Sequence, residues 1–190
     1  MSASLTSLPD DLPVPVDDGA AAHLRGSRLP DVALRATDGS TVSLAKLKGR
    51  TVAYAYPRTG EPDKPAFTPD WDAIPGARGC TPQSCDFRDH FDELKGLGVD
   101  HVYGLSTQTR EYQTEAASRL HLPFALLSDA HRALAMAARL PTFEAGGETL
   151  LKRLTLVIDD GIVTHLFYPV FPPDQSARQV VAWLEAGRRA

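Results

Sequence analysis

The seven residues TVAYAYP, Thr51 to Pro57, constrain this chain more than any other stretch. An apolar run rich in β-branched and aromatic residues reads as a strand. A strand without polar alternation is one buried on both faces of its sheet. Such a strand belongs inside an α/β architecture. The 190 residues, 43% of them hydrophobic, are enough for one domain with a core of that kind.

The flanking segments supply the remaining elements. Residues 1–26 are rich in Pro, Asp, Ser and Ala without a sustained period, which predicts an N-terminal extension outside the core, poorly ordered or laid over the surface. The domain proper then runs from 27 to 190. DVALRATDGSTVSLAKL places two short apolar runs around Asp38-Gly39, a hairpin signal. Arg58 to Gly79 is a 22-residue loop with four prolines and three glycines, long enough inside one domain to be functional or disordered. From Cys80 the pattern turns helical, with Pro82 in the first turn and Phe87, Phe91 and Leu94 recurring before GLGVD ends the run. A strand follows at His101 to Ser106, then a helix over TREYQTEAASRL with Tyr112, Ala116 and Leu120 on one face. FALLSD is a short strand and AHRALAMAARL a third helix. After a PTFEAGGE loop come two strands, LLKRLTLVID and IVTHLFY, joined at Asp160-Gly161. A closing helix from Asp174 to Ala186 turns Ala177, Val180, Val181 and Leu184 inward.

A strand-helix-strand half followed by a strand-strand-helix half resembles the thioredoxin-like plan, here with an N-terminal β-hairpin and a middle insertion. Sheets of this kind present their chemistry at the carboxyl ends of their strands. Tyr56-Pro57 and the loop at 58–79 lead the chain to that edge and deliver it to Cys80.

Charge excludes several classes of partner. The formal net charge is −4 and the 20 basic residues are scattered, so no footprint for nucleic acid or anionic lipid is present. No basic segment precedes an apolar leader, and no uncharged apolar run reaches the length of a membrane span. These features predict a soluble, cytoplasmic protein. In a reducing cytoplasm a structural disulfide is not expected.

The only two cysteines, Cys80 and Cys85, stand at the start of the predicted helix in GARGCTPQSCDFRDHF. At ~100° per residue, Cys80 shares the core face with Phe87, Phe91 and Leu94, whereas Cys85 lies ~140° around the axis near Asp89 and Asp92. Cys80 therefore points inward at the helix mouth and Cys85 is at least partly exposed. Their Cα atoms are roughly 8–9 Å apart in a regular helix, beyond the ~7 Å a disulfide tolerates, so the helix must unwind to join them. A thiolate in the first turn faces free backbone N–H groups and the positive end of the helix dipole. Spacing alone leaves three readings open: a redox pair, two ordinary buried cysteines, or a metal site with His90.

The motif GCTPQSCDFRD resembles the signature of peroxiredoxins of the peroxiredoxin Q or bacterioferritin comigratory protein class, within the alkyl hydroperoxide reductase and thiol-specific antioxidant family. The resemblance extends to LPDVALRATDGSTVSLAKLKGRTVAYAYP, LPFALLSDAH and KRLTLVIDDGIV, and covers about residues 28 to 185. It implies a thiol peroxidase for hydrogen peroxide and organic hydroperoxides, in which Cys80 is the peroxidatic cysteine and Cys85 the resolving one. Thioredoxin or a similar dithiol restores both. Arg153 matches the family arginine beside the peroxidatic sulfur, and Gln83 the Glu or Gln position near it. No metal, flavin or haem is implied, and resolution within one chain is compatible with a monomer. Two other classes keep the same fold: a disulfide exchange protein, and a non-catalytic redox-sensing domain. The chain departs from the family where a Thr or Ser hydroxyl normally precedes the cysteine by three residues, because Ala77 stands there, and Ala73 replaces the usual proline. Thr59 is the candidate for the missing hydroxyl, and Pro75 the candidate for shielding the cysteine.

Overall fold

The computed structural model describes residues 8–189. In chain order its elements are β1 (Leu34–Ala36), β2 (Thr41–Val42), β3 (Arg50–Ala55), α1 (Cys80–Asp89), α2 (Phe91–Gly96), β4 (His101–Ser106) and α3 (Arg110–Arg119). They continue with β5 (Leu126–Ser128), α4 (Ala133–Ala138), β6 (Thr142–Ala145), β7 (Glu148–Leu151), β8 (Leu154–Asp159), β9 (Ile162–Phe167) and α5 (Ser176–Arg189).

The main sheet has the order β2-β1-β5-β4-β3-β8-β9, with β3 parallel to β4 and antiparallel to β8. Its alternation explains why the strand TVAYAYP is apolar throughout. Successive side chains on a strand point to opposite faces. Ala53 and Ala55 enter one apolar layer with Leu127, Leu156 and Ile158, and Val52, Tyr54 and Tyr56 enter the other with Leu126 and Val157. Helices α1, α2 and α5 cover the tyrosine layer through Phe87, Leu94, Ala177 and Val180. The opposite layer is closed by α4, through Leu134 and Ala135, and by the segment before β1. Both halves of the thioredoxin-like plan are present, β3-α1-β4 and β8-β9-α5, with the β1-β2 hairpin ahead of them. Among the described residues no helix is long and apolar enough to cross a membrane.

Three expectations need correction. The first 26 residues are not wholly outside the core: Ala21 and Leu24 are fully buried in it. A single 3-10 turn, Ala22–Leu24, places them there, and the Gly26 N–H donates to the Val163 carbonyl at 2.7 Å to tie this segment to β9. One turn is too short to show a period. The PTFEAGGE stretch is not a loop but most of a second hairpin, β6-β7, turning at Gly146 and Gly147, which both have positive φ. Consequently LLKRLTLVID is two strands, interrupted at Lys152 and Arg153. Finally, the run from Cys80 to Gly96 is two helices, broken at His90, whose ring Nδ1 and backbone N–H both reach the Asp86 carbonyl.

The loop at 58–79 has its own anchor. Trp71 opens a 3-10 turn and is 6% exposed, edge-on to Phe67 at 5.6 Å between ring centroids and 6.4 Å from Phe143 of β6. With Ala77 and Leu150 these rings form a third apolar cluster. The β6-β7 hairpin is the platform on which the loop rests.

Candidate active site

Cys80 begins α1 where the chain returns to the carboxyl end of β3. Gly79, the residue before it, has φ +105°, and a Cβ there would lie 2.3 Å from Pro173 and 3.0 Å from Leu8, so only glycine fits. Cys80 is 3% exposed and its sulfur has three polar neighbours. The Arg58 backbone N–H donates to Sγ at 3.4 Å, Arg153 Nη2 lies 3.3 Å away, and the thiol faces the Ala77 carbonyl at 3.5 Å. Two donors and a helix mouth directed at one sulfur are complementary to a thiolate.

Arg153 owes its place to the strand break. A guanidinium in an unbroken edge between β7 and β8 would have to alternate outward or into the apolar layer; at the break it turns along the loop before α1. It is 2% exposed, and Nη2 also donates to the carbonyls of Gly76, Ala77 and Arg78 at 3.1–3.2 Å. Nη1 makes a short hydrogen bond to Gln83 Oε1. Gln83 is fully buried, and its Nε2 donates to Ser176 Oγ at 3.2 Å. The structure therefore brings Cys80, Arg153 and Gln83 into one hydrogen-bonded group, although they span 73 residues of chain between Cys80 and Arg153.

Thr59 lines the same cavity as Cys80, but its hydroxyl is engaged elsewhere. Both its N–H and its Oγ1 donate to Gln108 Oε1, at 2.9 and 3.1 Å. What approaches the sulfur from this side is the backbone N–H of the preceding residue, Arg58. Sequence reasoning passed over Arg58, because a backbone donor leaves no trace in side-chain identity; its position directly after Tyr56-Pro57 was the available signal. Its guanidinium lies between the rings of Phe67 and Tyr112, at 4.3 and 4.9 Å, and pairs with Glu148 at 3.2 Å. Pro75 lines a smaller, separate cavity of about 240 Å³ beside Pro15 and Arg153.

The cavity at Cys80 measures about 580 Å³, and the loop forms one wall of it through Phe67 and Trp71. Cys80 also belongs to the apolar cluster that holds Tyr54 and Tyr56. Tyr54 donates to Ser84 Oγ at 3.0 Å, and Gln113 donates to the Tyr56 hydroxyl at 3.2 Å. Burial holds both phenols well above their ordinary titration range.

Cys85 sits differently. It is half-buried, and desolvation is the largest influence on its thiol, pushing it up, with Arg88 partly opposing this. Both cysteines are free thiols in this conformation. His90 Nδ1 turns to Asp86, 2.9 Å from the carbonyl and 3.1 Å from Oδ1, and among the described residues no three His, Cys, Asp or Glu side chains are grouped as metal ligands. A buried sulfur facing two donors, with a second free thiol on the same helix, is equipped for two-electron redox chemistry.

Comparison with known proteins agrees with this chemistry. The family model described as Redoxin matches residues 24–181. The chain is 32% identical over 164 residues to "Peroxiredoxin Q, chloroplastic" of Oryza sativa subsp. japonica, covering 85% of this chain and 67% of that protein. It is 35% identical over 147 residues to "Peroxiredoxin Bcp" of Escherichia coli (strain K12), covering 75% and 83%. Among solved structures, peroxidoxin BcpB from Mycobacterium tuberculosis superimposes with a TM-score of 0.66 at 28% identity, covering 85% of this chain and 96% of that one.

Proposed function

As a member of the Redoxin family, alongside the peroxiredoxin Q and Bcp proteins, this chain is a thiol peroxidase, and we propose that it works through Cys80 as the attacking sulfur and Cys85 as the resolving one. In the first step the Cys80 thiolate attacks one oxygen of a hydroperoxide. An S–O bond forms, the O–O bond breaks, and the departing alkoxide or hydroxide takes up a proton, leaving Cys80 as a sulfenic acid. Arg153 Nη2 and the Arg58 N–H, both within 3.4 Å of the sulfur, are donors for the charge that shifts onto oxygen as the bond breaks. In the second step Cys85 attacks the Cys80 sulfur, releasing water and forming a disulfide. A dithiol such as thioredoxin then reduces it by exchange.

The observation that carries this reading is the convergence of Arg153 and the Arg58 N–H on the buried Cys80 sulfur. The Arg58 N–H stands beside Arg153 as a donor to the sulfur, so the absent Thr or Ser at Ala77 does not leave Cys80 without a second donor. Gln83 serves by orienting Arg153; Thr59 serves by shaping the cavity, with its hydroxyl held by Gln108. We further read the enzyme as a monomer of the reducing cytoplasm, because both steps use residues of one chain and the product disulfide needs a maintained dithiol pool.

The test is stopped-flow mixing of reduced protein with hydrogen peroxide and, separately, an organic hydroperoxide, followed by thiol counting and mass analysis. Rapid loss of two thiols per chain with a Cys80–Cys85 bond is the expected result. Loss no faster than for free cysteine would remove Cys80 from the attacking role.

A further inference from the structure

Joining Cys80 to Cys85 requires the first turns of α1 to open, and the structure distributes the contacts of α1 unevenly about that segment. Between the cysteines, Gln83 is bonded to Arg153 and Ser176, and Ser84 accepts from Tyr54 at 3.0 Å. Beyond Cys85 the contacts differ in kind. Asp86 is 6% exposed and accepts from the backbone N–H of Ala177 at 2.6 Å, at the mouth of the fourteen-residue α5. The first turn of α5 contains no acidic residue of its own, so Asp86 supplies its negative cap from another helix. The second carboxylate oxygen lies 3.1 Å from His90 Nδ1 and 3.8 Å from Arg178 Nε. Phe87 follows, fully buried and stacked on Tyr54 at 4.3 Å between centroids. Upstream of Cys80, by contrast, the chain carries Gly76 and Gly79, both at positive φ.

We propose that Asp86 is a positioning residue for disulfide formation: it pins the Cys85 end of α1 to the first turn of α5, so unwinding is confined to residues 80–84 and Cys80 travels to a stationary Cys85. The inference rests on the Cys80–Cys85 reading of the function. Two classes of contact then act with opposite sign. Contacts inside the moving segment, at Gln83 and Ser84, hold the helix closed and slow the second step. The contact outside it, at Asp86, holds the receiving thiol in place and speeds that step. Neither Asp86 nor Ser84 touches the Cys80 sulfur, so the attack on peroxide does not depend on them in this way.

The experiment follows both phases of peroxide oxidation in full-length protein, with thermal melting recorded for each variant. Asp86→Ala is expected to slow disulfide formation about fivefold, the rate equivalent of one helix cap, and leave the first phase unchanged. More Cys80 should accordingly reach sulfinic acid at a given peroxide concentration. Asp86→Asn should restore most of the rate, since its amide oxygen still accepts from Ala177. Ser84→Ala should accelerate the second phase. A second phase in Asp86→Ala that is unchanged or faster overturns the proposal, and so does a first phase slowed in equal measure. Should Asp86→Ala not fold, a slower or unchanged second phase in Ser84→Ala overturns it instead. A wild-type protein that forms no Cys80–Cys85 bond defeats the functional reading itself, a result distinct from any of these.

Discussion

Cys80 and Cys85 are five residues apart on one helix, yet they occupy two different chemical regions. At the helix mouth, Cys80 is nearly sealed from solvent and its sulfur meets a guanidinium, the Arg58 backbone N–H and the Ala77 carbonyl. On the outer face, Cys85 is half-buried, and the main influence on it is the loss of water. The thiol side chains are identical; the contrast arises from three chain segments, the Arg58 loop, the 76–78 carbonyls and the β7-β8 break, that converge on one cysteine and miss the other. What each sulfur meets is set from outside the helix.

The largest expected effect separates the two residues outright. Cys80→Ser should reduce peroxide consumption to the uncatalysed rate, whereas Cys85→Ser should leave a normal first phase and stop at sulfenic acid. Rapid-mixing kinetics with mass analysis distinguishes them, and equal loss of the first phase in both would erase the distinction. Next, Arg153→Met should slow the first phase by about 10², the scale of losing one aligned donor to developing charge. Arg153→Lys should recover only part of this, because an ammonium cannot bond Gln83 and the loop carbonyls in the same plane. A first phase indifferent to Arg153 would mean that the helix mouth and the Arg58 N–H suffice.

pH gives an intermediate effect. Because burial raises the Cys85 thiol, the thiolate is a minor species at neutral pH, and the second phase should climb by about tenfold per pH unit until the raised value is passed. A second phase flat across neutral pH would mean that Cys85 is activated after the helix opens. The smallest effect concerns the cavity wall. Trp71→Ala should slow the first phase for a bulky aryl hydroperoxide about threefold more than for hydrogen peroxide, the range expected for partial loss of an apolar contact. Equal slowing for both would assign Trp71 to holding the loop alone.

Much of this organisation is legible in the sequence, and the reason is local. The uninterrupted apolar strand at β3 forces two-sided burial, the helical spacing of Phe87 and Leu94 orients α1, and the angle between Cys80 and Cys85 follows from 100° per residue. The resemblance added Arg153 and Gln83. What was missed is also physically consistent. The β6-β7 hairpin hides in TFEAGGETLL because four-residue strands with half-buried faces show little alternation, and the core role of Ala21 and Leu24 depends on a single turn meeting β9. Thr59 was the natural candidate for a missing hydroxyl, but hydroxyl chemistry in a sequence does not reveal that Gln108 already holds it.

The sequence by itself determined the α/β class, the strand at the centre, and the placement of two thiols on opposite sides of one helix mouth, because each is a repeat of residue type at a fixed backbone period. The tertiary structure alone decided which donors reach Cys80, how the 58–79 loop finds its platform on β6-β7, and why Asp86 caps α5. Those contacts join residues 22 to 91 positions apart, and their formation depends on the route the chain takes around the sheet, which no local period encodes.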